Sequence, residues 1–542
     1  MTTRWFQIDS PQDTARIEEA AAILRRGGLL AIPTETVYGL GADGLNEAAV
    51  AGIFEAKGRP QDNPLILHIP SVEWLTRYCE DVPASAYRLA EAFWPGPLTM
   101  ILKKSALVPL RTTGGLDTVG VRCPDHAVTR AIIEAAGVPV AAPSANTSGR
   151  PSCTTAAHVR EDMDGKIDGI VDGGDCRVGV ESTIIDLTCT PPRLLRPGGL
   201  TLEALRGVLG EIVIDKALTQ QLGAEEKPRA PGMKYRHYAP HAPVTVVSGA
   251  PRSSARWLCA EAPENAGLIL FDEFTPLFPG KVVRTIGSMR DKAEQARRVF
   301  DALRSFDETP VQAIFAQCPD SEGLGLAVGN RLKKAAGFHI VDTDDAARVF
   351  FGITGLTGAG KTSVLRALKR LDGSVFIVDC DALYYELLAS DTPLRRELRS
   401  VFPDAFEQSG AFNRTRMREL VFHDGAALSR LDDIVRAHVP REALRRARES
   451  GAAVVGFDAV KLLESGLGAL CDRVVAVTAP EQARLRRIMA RDGIAEEQAR
   501  ERIRAQRDEA FFRANCDVVF ENAFSTPEET ENAALELFKK LR

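Results

Sequence analysis

The chain has 542 residues, of which 45% are apolar and 26% charged, ordinary globular values that exclude a disordered or coiled-coil protein and leave room for three or four domains. A formal charge of −5 provides no global attraction to nucleic acid or anionic membrane, so partners have to be argued from sites. The ten cysteines form no CxxC pair or metal-spaced Cys/His cluster, no apolar run reaches the roughly 18–20 residues that cross a bilayer, and the opening MTTRWFQIDS lacks a signal peptide's apolar core. The expectation is therefore a cytoplasmic protein with free thiols, no structural zinc and no membrane partner.

In chain order, residues 1–210 alternate short strand-like runs with polar loops: GGLLAIPTETVYGLGADG, DTVGVRCPDH, VPVAAPSANTSG and STIIDLT. Residues 211–242 include GAEEKPRAPGMKYRHYAPHAP, charged and rich in Pro and Gly, which reads as an extended linker. A small α/β domain is expected over 243–344, with strands at VTVVSG, GLILF and VQAIFAQ and helices at MRDKAEQARRVFDALRSF and AVGNRLKKAAG. Residues 345–542 restart at VFFGIT and form a third α/β unit.

The third unit opens on GLTGAGKT, which fits GxxxxGK(S/T) at Gly355, Gly360, Lys361 and Thr362 between a strand-like run and the helical SVLRALKRL. Such a loop curls its backbone N–H groups, including those around Gly358, Ala359 and Ser363, about phosphate oxygens. Lys361 neutralises the β/γ charge and the Thr362 hydroxyl reaches Mg²⁺, so ATP and Mg²⁺ are implied. In FIVDCDALYYELL, Asp379 and Asp381 stand at the end of a second strand, where parallel sheets place ligands, and one can accept a proton from an attacking hydroxyl. The Arg-rich helical pair RLRRIMARDGIAEEQARERIRAQRD suits a lid that closes on phosphates. About 350 residues precede this loop, which raises the question of what occupies them.

The motifs GITGLTGAGKTS, VDCDAL, RMRELVF, LLESGL, CDRVVAVTAPEQARLRRIMARDGI, RIRAQ and CDVVFEN run in the order seen in dephospho-CoA kinases, which residues 350–542 resemble. The resemblance implies transfer of the ATP γ-phosphoryl to the ribose 3′-hydroxyl of dephospho-CoA, with Asp381 as base and Arg487 and Arg491 in the lid. Two positions depart from that family: its His-Pro pair aligns with Arg436 and Ala437, and its Pro-Leu-Leu before Glu reads VKLLE. Both bear on the acceptor pocket. A regulatory P-loop domain, or one that phosphorylates another small molecule, is the competing reading.

In the first half, PTETVYGL, KGRPQDNPLILH, PSANTSGRPS, GVEST and LLRPGG each border an apolar run, and Lys57 and Arg59 put two cations on one turn, a setting for a triphosphate. The order of these loops, the linker APGMKYRHYAP and GLGLAVGNRLKKAAG resemble the YrdC-like family, specifically its two-domain threonylcarbamoyl-AMP synthases, over residues 10–342. That implies L-threonine, bicarbonate and ATP as substrates, threonylcarbamoyl-AMP and pyrophosphate as products, and tRNA-modification proteins as recipients. By the same resemblance Thr36, His68, Arg122 and Ser182 match threonine-site positions, and Arg59, Asn63, Thr118, Ser144, Ser152 and Arg196 match ATP-site positions. Lys57 and Asn146 complete the KxR and SxN signatures, and Tyr235 lies across the mouth as a lid.

GLGLAVGN follows a loop and lacks a ribose-binding acid at a suitable distance, so a dinucleotide site is rejected. Pro240 separates His237 from His241, which places them in core or linker packing rather than on zinc. An RNA-binding module fits poorly with 6% aromatic content and loops without interleaved aromatics, and carbamoyl transfer of the hydrogenase-maturation type would need zinc-binding cysteine clusters.

Overall fold

The computed structural model describes residues 2–218, 229–231, 237–343, 348–422 and 424–542. The chain divides into two compact units: residues 1–249, 265–272 and 282–342 form one, and residues 250–264, 273–281 and 343–542 the other.

The first unit holds two sheets. The larger has eleven strands, in the order Arg4–Gln7, Gly169–Asp172, Leu30–Ile32, Gly39–Asp43, Val140–Ala141, Ile66–His68, Thr118–Arg122, Leu98–Lys103, Thr183–Asp186, Arg193–Arg196 and Val213–Ile214. Its pairing is mixed: Ile66–His68 runs parallel to Thr118–Arg122, which runs antiparallel to Leu98–Lys103. The apolar runs anticipated from sequence supply these strands, and their polar loops gather where several strands end. The smaller sheet has five parallel strands, ordered Val282–Thr285, Gly267–Leu270, Ile314–Gln317, Val244–Ser248 and Ile340–Asp342. Helix Lys292–Arg304 is capped at Asp291, whose side chain accepts from the Glu294 amide.

The second unit carries a five-stranded parallel sheet, ordered Val375–Asp379, Val454–Asp458, Val349–Gly355, Arg473–Thr478 and Val518–Glu521. Its central strand reads VFFGITG, the continuous apolar run that a strand covered on both faces requires. Phe351 and Phe538, both fully buried, meet edge to face at 5.2 Å and fix helix Pro527–Leu541 on the sheet; each burial contributes about 1.5–3 kcal/mol. That helix starts at a capping box between Thr526 and Glu529. Helix Pro251–Glu261 belongs to this unit, and its Arg256 stacks over Phe350 at 4.1 Å and donates to the Leu470 carbonyl (2.8 Å). The anticipated fold class, α/β throughout with a parallel P-loop sheet, is what the chain adopts.

Candidate active sites

The first site forms where helix Glu47–Lys57 ends. Gly58, at φ 62°, closes the helix in the left-handed region, and the Arg59 amide returns to the Phe54 carbonyl (2.9 Å). Lys57 is buried, and its ammonium donates to the carbonyls of Ser144 and Asn146. Burial, followed by the charge of Arg59, lowers its pKa to about 7. Opposite, the turn after strand Leu30–Ile32 is fixed by the Thr34 hydroxyl, which accepts from the amides of Thr36 (3.1 Å) and Val37 (3.2 Å).

Lys57, Arg59, His68, Arg122, Ser144, Asn146, Ser182 and Arg196, all anticipated from sequence, line one cavity of about 50 Å³. Thr36, Asn63, Thr118 and Ser152 lie off its wall. Thr36 is bonded to Thr34 (2.8 Å), Thr118 begins the strand that ends at Arg122, Asn63 is buried, and Ser152 donates to Glu181 (2.8 Å). Tyr235 lies outside the described residues.

Sequence reasoning missed Glu35, Glu181, Arg331 and Tyr238, and it placed His237 in packing only. Glu35 sits 2.6 Å from Arg122, both buried. Burial opposes ionisation of Glu181, yet Arg331 (Nε to Oε2, 2.7 Å) and Arg196 hold its pKa down to about 2. Arg331, in the GLGLAVGN helix, thus serves this pair. His237 and Tyr238 are cavity walls, with His237 held neutral by burial, its pKa near 3. Tyr238 adopts φ 67°, and its ring packs 5.1 Å from Phe300. His68 is likewise kept neutral, near 3, by burial and Arg122. The result is a pocket with several buried cations and few carboxylates, matched to a polyanion.

The second site is the loop between strand Val349–Gly355 and helix Lys361–Lys369. Gly355 (φ 129°) leaves no space for a side chain, since a Cβ would lie 2.1 Å from the Val477 carbonyl, and Gly360 (φ 96°) would bring one within 2.4 Å of Asn522 Nδ2. The loop is braced from behind. Asn522 donates to the Ala359 carbonyl (2.7 Å), Arg484 to the Thr357 carbonyl (2.9 Å), and Gln506 accepts from the Thr357 amide (2.7 Å). Arg487 donates to Ala359 O (3.2 Å) and Gly358 O (3.4 Å), whereas Arg491 is exposed and paired with Asp492 (2.7 Å). The helical pair is present as Glu481–Asp492 and Glu496–Arg504, and of its two anticipated arginines Arg487 reaches the loop while Arg491 does not.

Lys361 pairs with Asp458 (3.1 Å), a residue at the end of strand Val454–Asp458 that sequence reading overlooked although VVGFD carries the same strand-end carboxylate signal as FIVD. Burial raises the Asp458 pKa, Lys361 opposes this, and Asp379 and Asp381 add to it. Asp379 and Asp458 are direct register partners, Asp379 caps helix Cys380–Ala389, and Asp381 Oδ2 accepts from the Val460 amide (3.2 Å). The Thr362 hydroxyl and these carboxylates are hard oxygen donors of the kind Mg²⁺ shares with phosphate. Among the described residues no group of three or more His, Cys, Asp or Glu is disposed to hold a metal by itself. Beyond Asp381 opens a cavity of about 530 Å³, bordered by Tyr384, Tyr385, Arg414, Arg436 and Lys461. No helix among the described residues is long and apolar enough to cross a membrane, and all ten cysteines are free.

A cation-lined pocket in one unit and a braced P-loop in the other define the class: an α/β protein with two candidate phosphate sites. Residues 22–198 match the family Sua5_yciO_yrdC (Telomere recombination), residues 200–337 the family Threonylcarbamoyl-AMP synthase, C-terminal domain, and residues 349–528 the family Dephospho-CoA kinase. The threonylcarbamoyl-AMP synthase of Pyrococcus abyssi is 52% identical over 342 residues, covering 60% of this chain and 97% of the relative. That of Bacillus subtilis is 45% identical over 348 residues, covering 63% and 99%. The structure of P. abyssi Sua5 complexed with L-threonine superposes with TM-score 0.58 at 48% identity, covering 63% of this chain and 99% of that one. The chain belongs to the threonylcarbamoyl-AMP synthase family, and a dephospho-CoA kinase domain follows in the same polypeptide.

Proposed function

We propose that this is a bifunctional enzyme. The first unit converts L-threonine, bicarbonate and ATP to threonylcarbamoyl-AMP and pyrophosphate, for delivery to tRNA-modification proteins. The second transfers the ATP γ-phosphoryl to the 3′-hydroxyl of dephospho-CoA. The observation that carries the reading is the coexistence of a cation-lined pocket and a braced P-loop, built from unrelated loops.

In the synthase, threonine's amine captures CO₂, and a carbamate oxygen attacks the α-phosphorus while pyrophosphate leaves. No protein nucleophile is needed: positioning in the pocket and stabilisation by Arg59, Arg196 and Lys57 suffice. His237 and Tyr238 form part of the wall that the substrates would face. Mg²⁺, when bound with ATP, neutralises phosphate charge.

In the kinase, Lys361 and Arg487 hold phosphate oxygens, and Asp381 orients and deprotonates the acceptor hydroxyl. Both reactions draw on cytoplasmic metabolites, where we place the enzyme. The test is mass spectrometry of the purified chain with each substrate set, alongside Lys361→Ala and Arg196→Ala. Each substitution should abolish one product and spare the other. If CoA never forms while ATP is bound, the second unit is a regulatory domain or uses another acceptor.

A further inference from the structure

The 530 Å³ cavity beyond Asp381 has an uneven charge distribution. Of its charged wall residues, Lys461 faces Asp432 (3.7 Å), Glu464 faces Arg507 (3.9 Å), and Asp381 is engaged by the Val460 amide. Two guanidiniums, Arg414 and Arg436, complete the charged lining. Arg414 lies 4.9 Å from the Tyr385 ring centroid, an aromatic contact that leaves its charge unneutralised. Arg436 pairs with Asp433 at 3.5 Å, a half-exposed carboxylate one turn back on helix Gly425–Glu449, and its Nε is buried with no hydrogen-bond partner among the described residues. A buried guanidinium N–H with no acceptor is unfavourable, and an incoming anion would supply the missing acceptor. Tyr384 and Tyr385, 5.2 Å apart and set edge to face, add an aromatic wall beside the two arginines.

We infer that Arg436, with Arg414, forms an anion subsite of the acceptor pocket that binds the diphosphate bridge of the acceptor while its hydroxyl is presented to Asp381. The ligand class is a hydroxylated nucleotide-like molecule that carries a phosphodiester or diphosphate on the same sugar as the reacting hydroxyl. The planar fork of arginine is suited to such an anion, and it stands where the resembling kinases carry a histidine followed by proline. The chain's departure from that pattern is thus a specificity element. This inference rests on the kinase reading above.

The test uses the full chain with saturating ATP and Mg²⁺ and two acceptors: dephospho-CoA, and adenosine, which keeps the 3′-hydroxyl but lacks the diphosphate. Arg436→Ala should lower kcat/KM for dephospho-CoA roughly 10- to 100-fold, mostly through KM, and leave adenosine unchanged. Arg436→Lys, which keeps the charge but not the fork, should recover part of the loss, and Arg414→Ala should show a smaller loss of the same kind. ATP binding and thermal midpoint serve as folding controls. Calorimetric binding of dephospho-CoA reads the contact without turnover. Equal losses with both acceptors, or equal dephospho-CoA affinity in parent and variant, would overturn the inference. Binding that depends on Arg436 without turnover would refute the kinase reading and leave the anion subsite standing. A parent that binds no dephospho-CoA would overturn the subsite.

Discussion

On the proposed reading, the two units bind the same kind of ligand by opposite means. The synthase cavity relies on side-chain cations withdrawn from water, and its protonation shows the strain: Lys57 is near 7 and His68 and His237 are held neutral. The kinase offers backbone N–H groups at a helix N-terminus, with Lys361 resting on Asp458 and the loop propped by side chains from distant strands and helices. A backbone cradle is specified by glycines a few residues apart. A buried cation cluster is stable only while every charge has a partner or a ligand.

The comparison can be broken most directly at Lys361. Lys361→Ala should reduce CoA formation by about 10³-fold and leave threonylcarbamoyl-AMP formation unchanged, as measured by coupled assays of each product.

The next effect is on stability. Glu181, paired with the fully buried Arg331, has its pKa lowered to about 2 from 4.5. A depressed carboxylate stabilises the fold above its unfolded pKa and loses that contribution as pH falls from 4.5 to 2, here about 3 kcal/mol. Glu181→Gln should therefore lower the melting midpoint of the first unit at neutral pH and flatten its acid dependence; an unchanged pH profile would show that the pair does not couple to folding.

Within the lid helices a smaller contrast is expected. Arg487→Ala should raise the kinase KM for ATP by about tenfold, because its contacts are to the loop itself. Arg491→Ala should stay within about twofold, as an exposed pair contributes little; equal losses would mean that the helix moves on binding. The smallest effect is a proton. Since Lys57 is near 7 when no anion faces it, ATP binding to the first unit at pH 7.5–8 should draw up part of a proton, read by calorimetry in buffers of different ionisation heat, and Lys57→Met should abolish the uptake.

The sequence by itself determined what is local. The strands, the P-loop, the Asp379–Asp381 pair and the capped helices follow from apolar periodicity and from glycines whose backbone angles few other residues adopt, all within about ten residues. The loops of the synthase were also legible, and most of their anticipated residues share one wall. What the tertiary structure decided is convergence over distance: Glu181 meeting Arg331, Asp458 meeting Lys361, Asn522 and Arg484 bracing the P-loop, and His237 and Tyr238 turning from linker into cavity wall. It also separated Arg487 from Arg491, which lie four positions apart on one helix. The physical reason is that backbone conformation is set by near neighbours, whereas a charge finds its partner only after strands far apart in sequence have packed, and burial then fixes what each group's protonation must be.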